Sequence, residues 1–401
     1  MSLMAPDEAR RRILAAATRV TGSEAVPLSQ ARGRTLASDL VALRTHPPFA
    51  ASAMDGYAVR AGDLSIGYPL RVIGEAAAGH PFSGTLGDGE AVRIFTGAVV
   101  PNGADTILIQ ENATRVDEHH LVPTQTEARG RFVRPAGLDF AEGDVLLPAG
   151  SVLDARRIGL AASMGHSSLP VRQRPRVAIL STGDELALPG AELRSGQIVS
   201  SNAFALAAQV AAAGAEAIDL GIVPDTAEAT RCAIEHASDV ANIILTSGGA
   251  SVGDHDFVQS ALTAAGFAMG FWKVAVRPGK PLMFGTRGEV LCIGLPGNTV
   301  SSLVCTLLFV VPLIGKLLGR PGHADPGREP ALLGRDLPAN DLREEYMRAS
   351  LHRTEAGLVA TPFATQDSSI QRLLVEAEAL LVRPAHAPVA RAGEPCEIIR
   401  L

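Results

Sequence analysis

Three stretches of this chain run from an apolar segment into small and acidic residues. NIILTSGGASVGDHDF (242–257) leads from Ile243, Ile244 and Leu245 into a loop containing Ser247, Gly248, Gly249, Ser251 and Gly253, then Asp254 and Asp256. RVAILSTGDEL offers Ser181, Thr182, Asp184 and Glu185, and IVPDT offers Asp225 and Thr226. Glycines let backbone N–H groups approach an oxyanion closely, and neighbouring carboxylates hold a hard cation such as Mg²⁺. Each stretch also has a plainer reading. The glycine loop could be a tight strand-to-helix connection with solvated aspartates, and Asp184 and Glu185 a solvated pair. Asp225 fits as the cap of an Asp225-x-x-Glu228 capping box.

Opposite charge follows in KVAVRPGK. In an extended segment Lys273, Ala275 and Arg277 share one face, and Lys280 returns after Pro278-Gly279. Such a cluster suits phosphate or another tetrahedral oxyanion, or equally guards an edge strand. GLPGN brings Pro296, Gly297 and Asn298 to a helix start, where an anion could sit or Asn298 could act as a cap. MDGYA contains Asp55-Gly56, ordinarily a hairpin turn, inside an ordered-looking Pro/Ala loop. TGAVVPNGADT adds Thr96, Asn102 and Asp105. The histidines show no ligand spacing, and His255 in the acidic loop reads as structural.

The elements that must position these groups follow from periodicity. From residue 175 onward, apolar strands alternate with helical patterns such as SNAFALAAQVAAAG and DTAEATRCAIEHAS, which predicts a parallel sheet covered on both faces. Ligands bind such sheets beyond the carboxyl ends of their strands. FWKVAVRPGKPLMFGT reads as two short strands around a Pro-Gly turn, and the segment after GLPGN as a long buried helix. Residues 1–22 read as an amphipathic helix, with Asp7 and Glu8 at its start and Arg19 near its end. The expected division is an N-terminal helix (1–26), an extended linking domain (27–46 and 135–173), a β-rich domain (47–134), a doubly wound α/β domain (174–320) and a C-terminal β domain (321–401).

Composition narrows the classes. The chain has 401 residues, 47% hydrophobic and 19% charged, as in a globular protein. A net charge of −6 argues against an extended nucleic-acid surface. The four cysteines lie far apart and form no metal pair, which suits buried thiols in a reducing, cytosolic setting. The run Leu303–Ile314 contains Pro312 and is shorter than the roughly 20 residues of a bilayer span. The N-terminus lacks a signal-peptide core. No membrane association is expected.

MDGYA, EAAAG, TGAVVPNGADT, STGDEL, SGGASVGDHDF, KVAVRPGKP and GLPGN, in that order, resemble the MoeA-type molybdopterin molybdenumtransferases, relatives of the gephyrin E domain. The likeness runs from about residue 7 to residue 400. It implies an elongated homodimer with a β-rich domain, a molybdopterin-binding α/β domain, a C-terminal β-barrel and a site in a cleft shared between subunits. The implied reaction inserts molybdate into adenylylated molybdopterin with Mg²⁺-assisted release of AMP, and molybdopterin adenylyltransferase is the implied partner enzyme. Glu185, Asp225 and Asp256 match the family's acidic, metal-holding set. Lys273 and Arg277 match its basic pair, with Lys280 as a further phosphate contact. Asp55 resembles the acid supplied across the dimer, and Thr96 the functional threonine. Arg348 and Ser368 match positions lining an anion site.

The chain departs from the family at Thr299, where proline is usual, at Asp367 and Ser369, where glycines are frequent, and at AEA (377–379), where Ala-Asn is common. Three other readings compete with the transferase. The sister adenylyltransferase would carry a Thr-Gly-Thr-Gly loop and no 150-residue N-terminal region. A non-catalytic pterin-binding scaffold would have no need of the acids. A tungstate-handling paralogue differs only in a nearly isosteric oxyanion.

Overall fold

The computed structural model describes residues 3–248, 257–324 and 326–401. Helix α1 spans Pro6–Ala16, shorter than the sequence suggests; Arg19 lies beyond it and pairs with Glu289. Ser23–Pro27 is already a strand, antiparallel to Ser168–Arg172, and Leu40–Val41 pairs with Val145–Leu147. Around these pairings Leu36, Leu40, Phe140, Leu153, Met164 and Leu169 form a separate apolar cluster. Helix α2 (Ala155–Ser163) packs there, capped by the Asp154 carboxylate on the Arg157 N–H and ended by Gly165 in the left-handed region.

Between these segments lies the β-rich domain. Its six strands run in the order Thr106–Ile109, Gly56–Val59, Glu90–Ile94, Leu70–Ala76, His120–Pro123, Ala113–Arg115. Gly56 does not make the hairpin turn that Asp-Gly suggests. It opens a buried strand pressed so close to its neighbour that a Cβ would collide with the Leu108 carbonyl.

The α/β domain is built on strands β1 (Arg176–Thr182), β2 (Glu216–Val223), β3 (Ile243–Ser247), β4 (Ala268–Lys273), β5 (Pro281–Arg287) and β6 (Val290–Leu295), in the order β2-β1-β3-β6-β5-β4. The first four are parallel, as expected; β5 runs antiparallel to both its neighbours, β6 and β4, so the sheet is mixed. The reason is local: β4 and β5 are close in sequence, and a short connection can only return antiparallel. Alternation along β1 sends Val177 and Ile179 to one face and Ala178 and Leu180 to the other. Helix α3 (Asn202–Ala212) covers the first face with α1; α4 (Ala227–Val240) and α5 (Phe257–Ala264) cover the second.

Helix α6 (Thr299–Leu317) is long and apolar enough to cross a membrane, yet it is largely buried among α1, α3 and the sheet. A π turn at Thr306–Val310 precedes Pro312, whose ring would clash with a regular ladder at residue 308.

The C-terminal sheet closes on itself. Glu344–Thr354 pairs with Gly357–Pro362, then follow Arg328–Leu333, Pro395–Arg400 and Ala379–Arg383, which returns to Glu344–Thr354. Leu381 and Ile398 fill this barrel. Their neighbours Leu380, Val382 and Ile399 point outward and join the α/β core. Two cysteines, Cys292 and Cys305, are the buried thiols expected, and burial raises both to about 12. Cys232 is instead exposed on α4, donating to Glu228.

Candidate active-site cleft

The chain leaves β1 for α3 on one face and β3 for α5 on the other, so the point beyond β1 and β3 is where a doubly wound sheet opens a crevice. A cleft of about 230 Å³ lies there. Its lining includes Ser181 and Thr182 at the end of β1 and Glu185 after it, Ser247 at the end of β3 and Gly248 after it, and Gly297, Asn298 and Thr299 after β6. Gly248 adopts φ +94°, and a Cβ on it would stand 2.8 Å from the Thr182 carbonyl oxygen. Only glycine allows this approach of the two strand ends.

Asn202, at the start of α3, ties the loops together. Its amide nitrogen donates to Ser247 Oγ at 2.7 Å and to the Gly297 carbonyl at 2.6 Å. Sequence reasoning passed over Asn202; the available signal was a polar Ser-Asn pair opening an apolar helix in the same α/β unit.

The acids separate into two groups. Asp225 and Asp184 exchange bonds, each backbone N–H donating to the other's carboxylate at 3.2 Å. Thr226, not Asp225, caps α4, its hydroxyl accepting from the Ala229 N–H. Asp225 is thereby released from the capping role its spacing suggested. Gly249, Ser251, Gly253 and Asp256 lie outside the described residues. Among the described residues no three acidic, imidazole or thiolate groups converge as a metal cluster. Asp55 and Thr96 meet each other instead, since the Thr96 N–H and hydroxyl both donate to Asp55 Oδ1 at 2.8 Å. These bonds, the backbone one first, hold the Asp55 carboxyl below the usual range. Neither residue is among those lining the cleft, all of which belong to the α/β domain.

The cations are not on one face of one strand. Lys273 ends β4, whereas Val276–Arg277 leaves the α/β sheet and pairs with Glu344 and Glu345 of the barrel. Arg277 forms ion pairs with Asp341 and Glu345. Among the described residues no carboxylate pairs with Lys273 or Lys280.

Three family models cover this architecture. Residues 4–165 match the MoeA N-terminal region (domain I and II), 178–316 a probable molybdopterin binding domain, and 330–401 the MoeA C-terminal region (domain IV). A molybdopterin molybdenumtransferase of Haemophilus influenzae is 34% identical over 393 residues, spanning 98% of this chain and 97% of that protein. One from a Nostoc species is 38% identical, spanning 94% and 89%. The crystal structure of a molybdopterin biosynthesis MoeA protein from Pyrococcus horikoshii superposes with a TM-score of 0.84 at 30% identity, covering 100% of this chain and 99% of that one. The chain belongs to the MoeA family.

Against the MoeA pattern, two C-terminal positions are used in an unexpected way. Arg348 is 1% exposed, and its guanidinium donates to the Asp367 and Ile370 carbonyls at 2.9 and 2.7 Å. It clamps the loop bearing Ser368 and does not present its charge to the cleft. Ser368 accepts from the Asn298 amide at 2.8 Å, so Asn298 links the barrel to the cleft and leaves α6 without a side-chain cap. Asp367 accepts from the Ser369 N–H and hydroxyl, a local turn that replaces the freedom of the family's glycines.

Proposed function

We propose that this MoeA-family chain is a molybdopterin molybdenumtransferase that inserts molybdate into adenylylated molybdopterin and releases AMP. The observation that carries the reading is the cleft beyond β1, β3 and β6. There a glycine-permitted junction, serine hydroxyls and Glu185 gather where an α/β sheet binds ligands. Ser247, Gly248 and Gly297 are the proposed contacts with the pterin substrate, and Pro296 and Asn298 shape the turn beside them. Gly249, Ser251 and Gly253 are proposed to extend this contact surface.

Mg²⁺ would be held by Glu185 and Asp225 together with Asp256, and would neutralise charge on the diphosphate of the substrate. Hard carboxylate oxygens suit that ion, and two carboxylates suffice when substrate phosphates complete the shell. Lys273 and Lys280, without acidic partners among the described residues, are the proposed molybdate or phosphate contacts. Arg277 would contribute on release from Asp341 and Glu345. Arg348 acts by holding the Ser368 loop.

The Asp55–Thr96 pair is proposed to complete the site of a second subunit in a homodimer. Exposed apolar side chains support this. Leu193, Ile198, Val199 and Phe204 are exposed in the segment that borders the cleft, and Phe49 and Met54 are exposed next to Asp55 in sequence. Solvent-exposed apolar groups of this kind suit burial against another copy. The supplier of adenylylated molybdopterin would be a molybdopterin adenylyltransferase, and the setting the reducing cytosol.

The test is AMP release from adenylylated molybdopterin by the purified chain. Molybdate-dependent release that stops on chelation and returns with Mg²⁺ is the expected result; tungstate in parallel defines the oxyanion. Binding of the substrate without AMP release under any oxyanion would remove the transferase reading.

A further inference from the structure

The α/β sheet has a second end. Where β1, β3 and β6 begin, opposite the cleft, a separate cavity of about 440 Å³ opens beside the segment that leaves α1. Its wall includes Arg19, Arg174, Arg176, Asn242, Glu289 and Val20, none of which lines the cleft. Three arginines against one glutamate are a local excess of positive charge on a chain of net charge −6.

VRQRPR (171–176), which joins the linking domain to β1, carries arginine at every second position. The chain is a strand up to Arg172 and again from Arg176, and Pro175 keeps Arg174 extended between them. The arginines around this junction have different partners. Arg172 donates to the Thr21 and Ala37 carbonyls at 3.1 and 3.2 Å. Arg320, just after α6, donates to Thr35 Oγ1 and to the Ala213 carbonyl at the end of α3. Arg19 pairs with Glu289 at 2.9 Å, whereas among the described residues neither a carboxylate nor a carbonyl takes a bond from the Arg174 or Arg176 guanidinium. Glu216 stands beside Arg176 in register on β2 but, among the described residues, forms no ion pair with it. Burial, and then the charge of Arg174, lower the Arg320 pKa, so these cations crowd one another.

Asn242 adds a donor. Its backbone N–H donates to the Arg176 carbonyl, and its Oδ1 accepts from the Arg176 N–H, both at 2.8 Å. A backbone N–H can only donate, so the side-chain oxygen must face it. The amide NH₂ is thereby left to the cavity.

We propose that Arg174, Arg176 and the Asn242 amide form a binding site for the phosphate group of a small molecule, at the end of the sheet opposite the cleft. Guanidinium forks match phosphate oxygens, and an uncharged donor fixes a further oxygen. The cavity has the size of a small-molecule site and leaves room for an organic portion beside the phosphate. Val20, 43% exposed, gives that portion an apolar wall. Because no residue of this site lines the cleft, it stands whether or not the chain releases AMP.

The experiment uses the full chain with two probes, inorganic pyrophosphate and AMP, and follows binding by titration calorimetry and its place by hydrogen exchange. Either probe should slow exchange in segments 18–22 and 173–176. Asn242→Asp should weaken binding at this site about tenfold or more, because a carboxylate replaces the donor. Its melting temperature should hold, because the side-chain oxygen still accepts from Arg176. The double variant Arg174→Gln, Arg176→Gln should lose the protection altogether; both residues are exposed, so the core is untouched. AMP release from adenylylated molybdopterin should be unchanged in all these proteins.

Tighter binding of AMP than of pyrophosphate would assign the site to an organic phosphate, and the reverse order to the inorganic ion. Protection confined to the cleft segments, protection by neither probe, or wild-type binding in the variants would overturn the site. So would loss of AMP release in the variants with unchanged exchange at 18–22, since these residues would then serve the reaction.

Discussion

In the α/β domain one of the two apolar clusters runs from Ile13 of α1 through β1, β3, β6, α3 and α6 to Tyr346, Leu380, Val382 and Ile399 of the barrel. The β-rich domain instead holds two smaller clusters drawn only from its own strands and loops, one around Tyr57, Leu108 and Leu121, the other around Ile94 and Ile107. The first arrangement fixes the strand ends, the Ser368 loop and the cleft against one another. The second keeps the Asp55–Thr96 pair in a lobe with cores of its own, joined to the rest through the linking segments. Under the proposed division of the site, the cleft belongs to the part built on the shared core and the Asp55–Thr96 pair to a part with cores of its own.

The comparison breaks most sharply by cavity creation. Phe309→Ala, at a fully buried position of the shared core, should cost about 3–5 kcal/mol. Calorimetry should show the α/β domain and barrel melting together at lower temperature while the β-rich transition stays in place; a drop in both would mean that the lobes are one cooperative unit. Next in size is Arg348→Ala. Two carbonyls of the Ser368 loop lose their donor, a loss of about 2–3 kcal/mol, and loop protection in hydrogen exchange should fall before that of the barrel strands. Arg348→Lys should recover only part of it, because an ammonium cannot span both carbonyls as a planar fork does.

A smaller effect sharpens the proposed division of labour between subunits. Asp55→Ala and Asp225→Ala proteins should each be inactive. Mixed in equal amounts with subunit exchange, they should regain about a quarter of wild-type activity, since half the dimers carry one intact site. Exchange without recovered activity would return Asp55 to its own chain's chemistry.

The smallest effect is electrostatic. Asp55 has its pKa lowered mainly by the Thr96 N–H and then by its hydroxyl. Its carboxylate therefore favours folding above the unfolded pKa of about 3.9, and that contribution disappears as pH falls through the lower folded value. Thr96→Val keeps the backbone donor, so the Asp55 midpoint followed by NMR should rise only part of the way to the ordinary value.

Much of this was legible in the chain. Alternating apolar runs gave the α/β domain its strands and helices, because an element must bury whatever face its period creates. The motifs at strand ends pointed to the cleft for the same reason. Elsewhere local signals misled. Asp225 has the spacing of a cap, but the turn after β2 hands that role to Thr226. Asp55-Gly56 has the composition of a hairpin, but Gly56 is needed where two strands crowd at Leu108. Lys273 and Arg277 are in phase along an extended segment, but the chain changes sheets between them.

The amino-acid sequence by itself determined the element types, the mixed character of the molecule and the family, since these depend on periodicity and short motifs that act within a few residues. Only the tertiary structure decided which polar groups would be left without partners. Whether Arg174 finds a carboxylate, whether Asn202 reaches Gly297, 95 positions away, and whether Arg348 faces an anion or two carbonyls depend on segments distant in the chain. Hydrogen bonds are satisfied in space, and a sequence records neither the distance nor the direction of the partner.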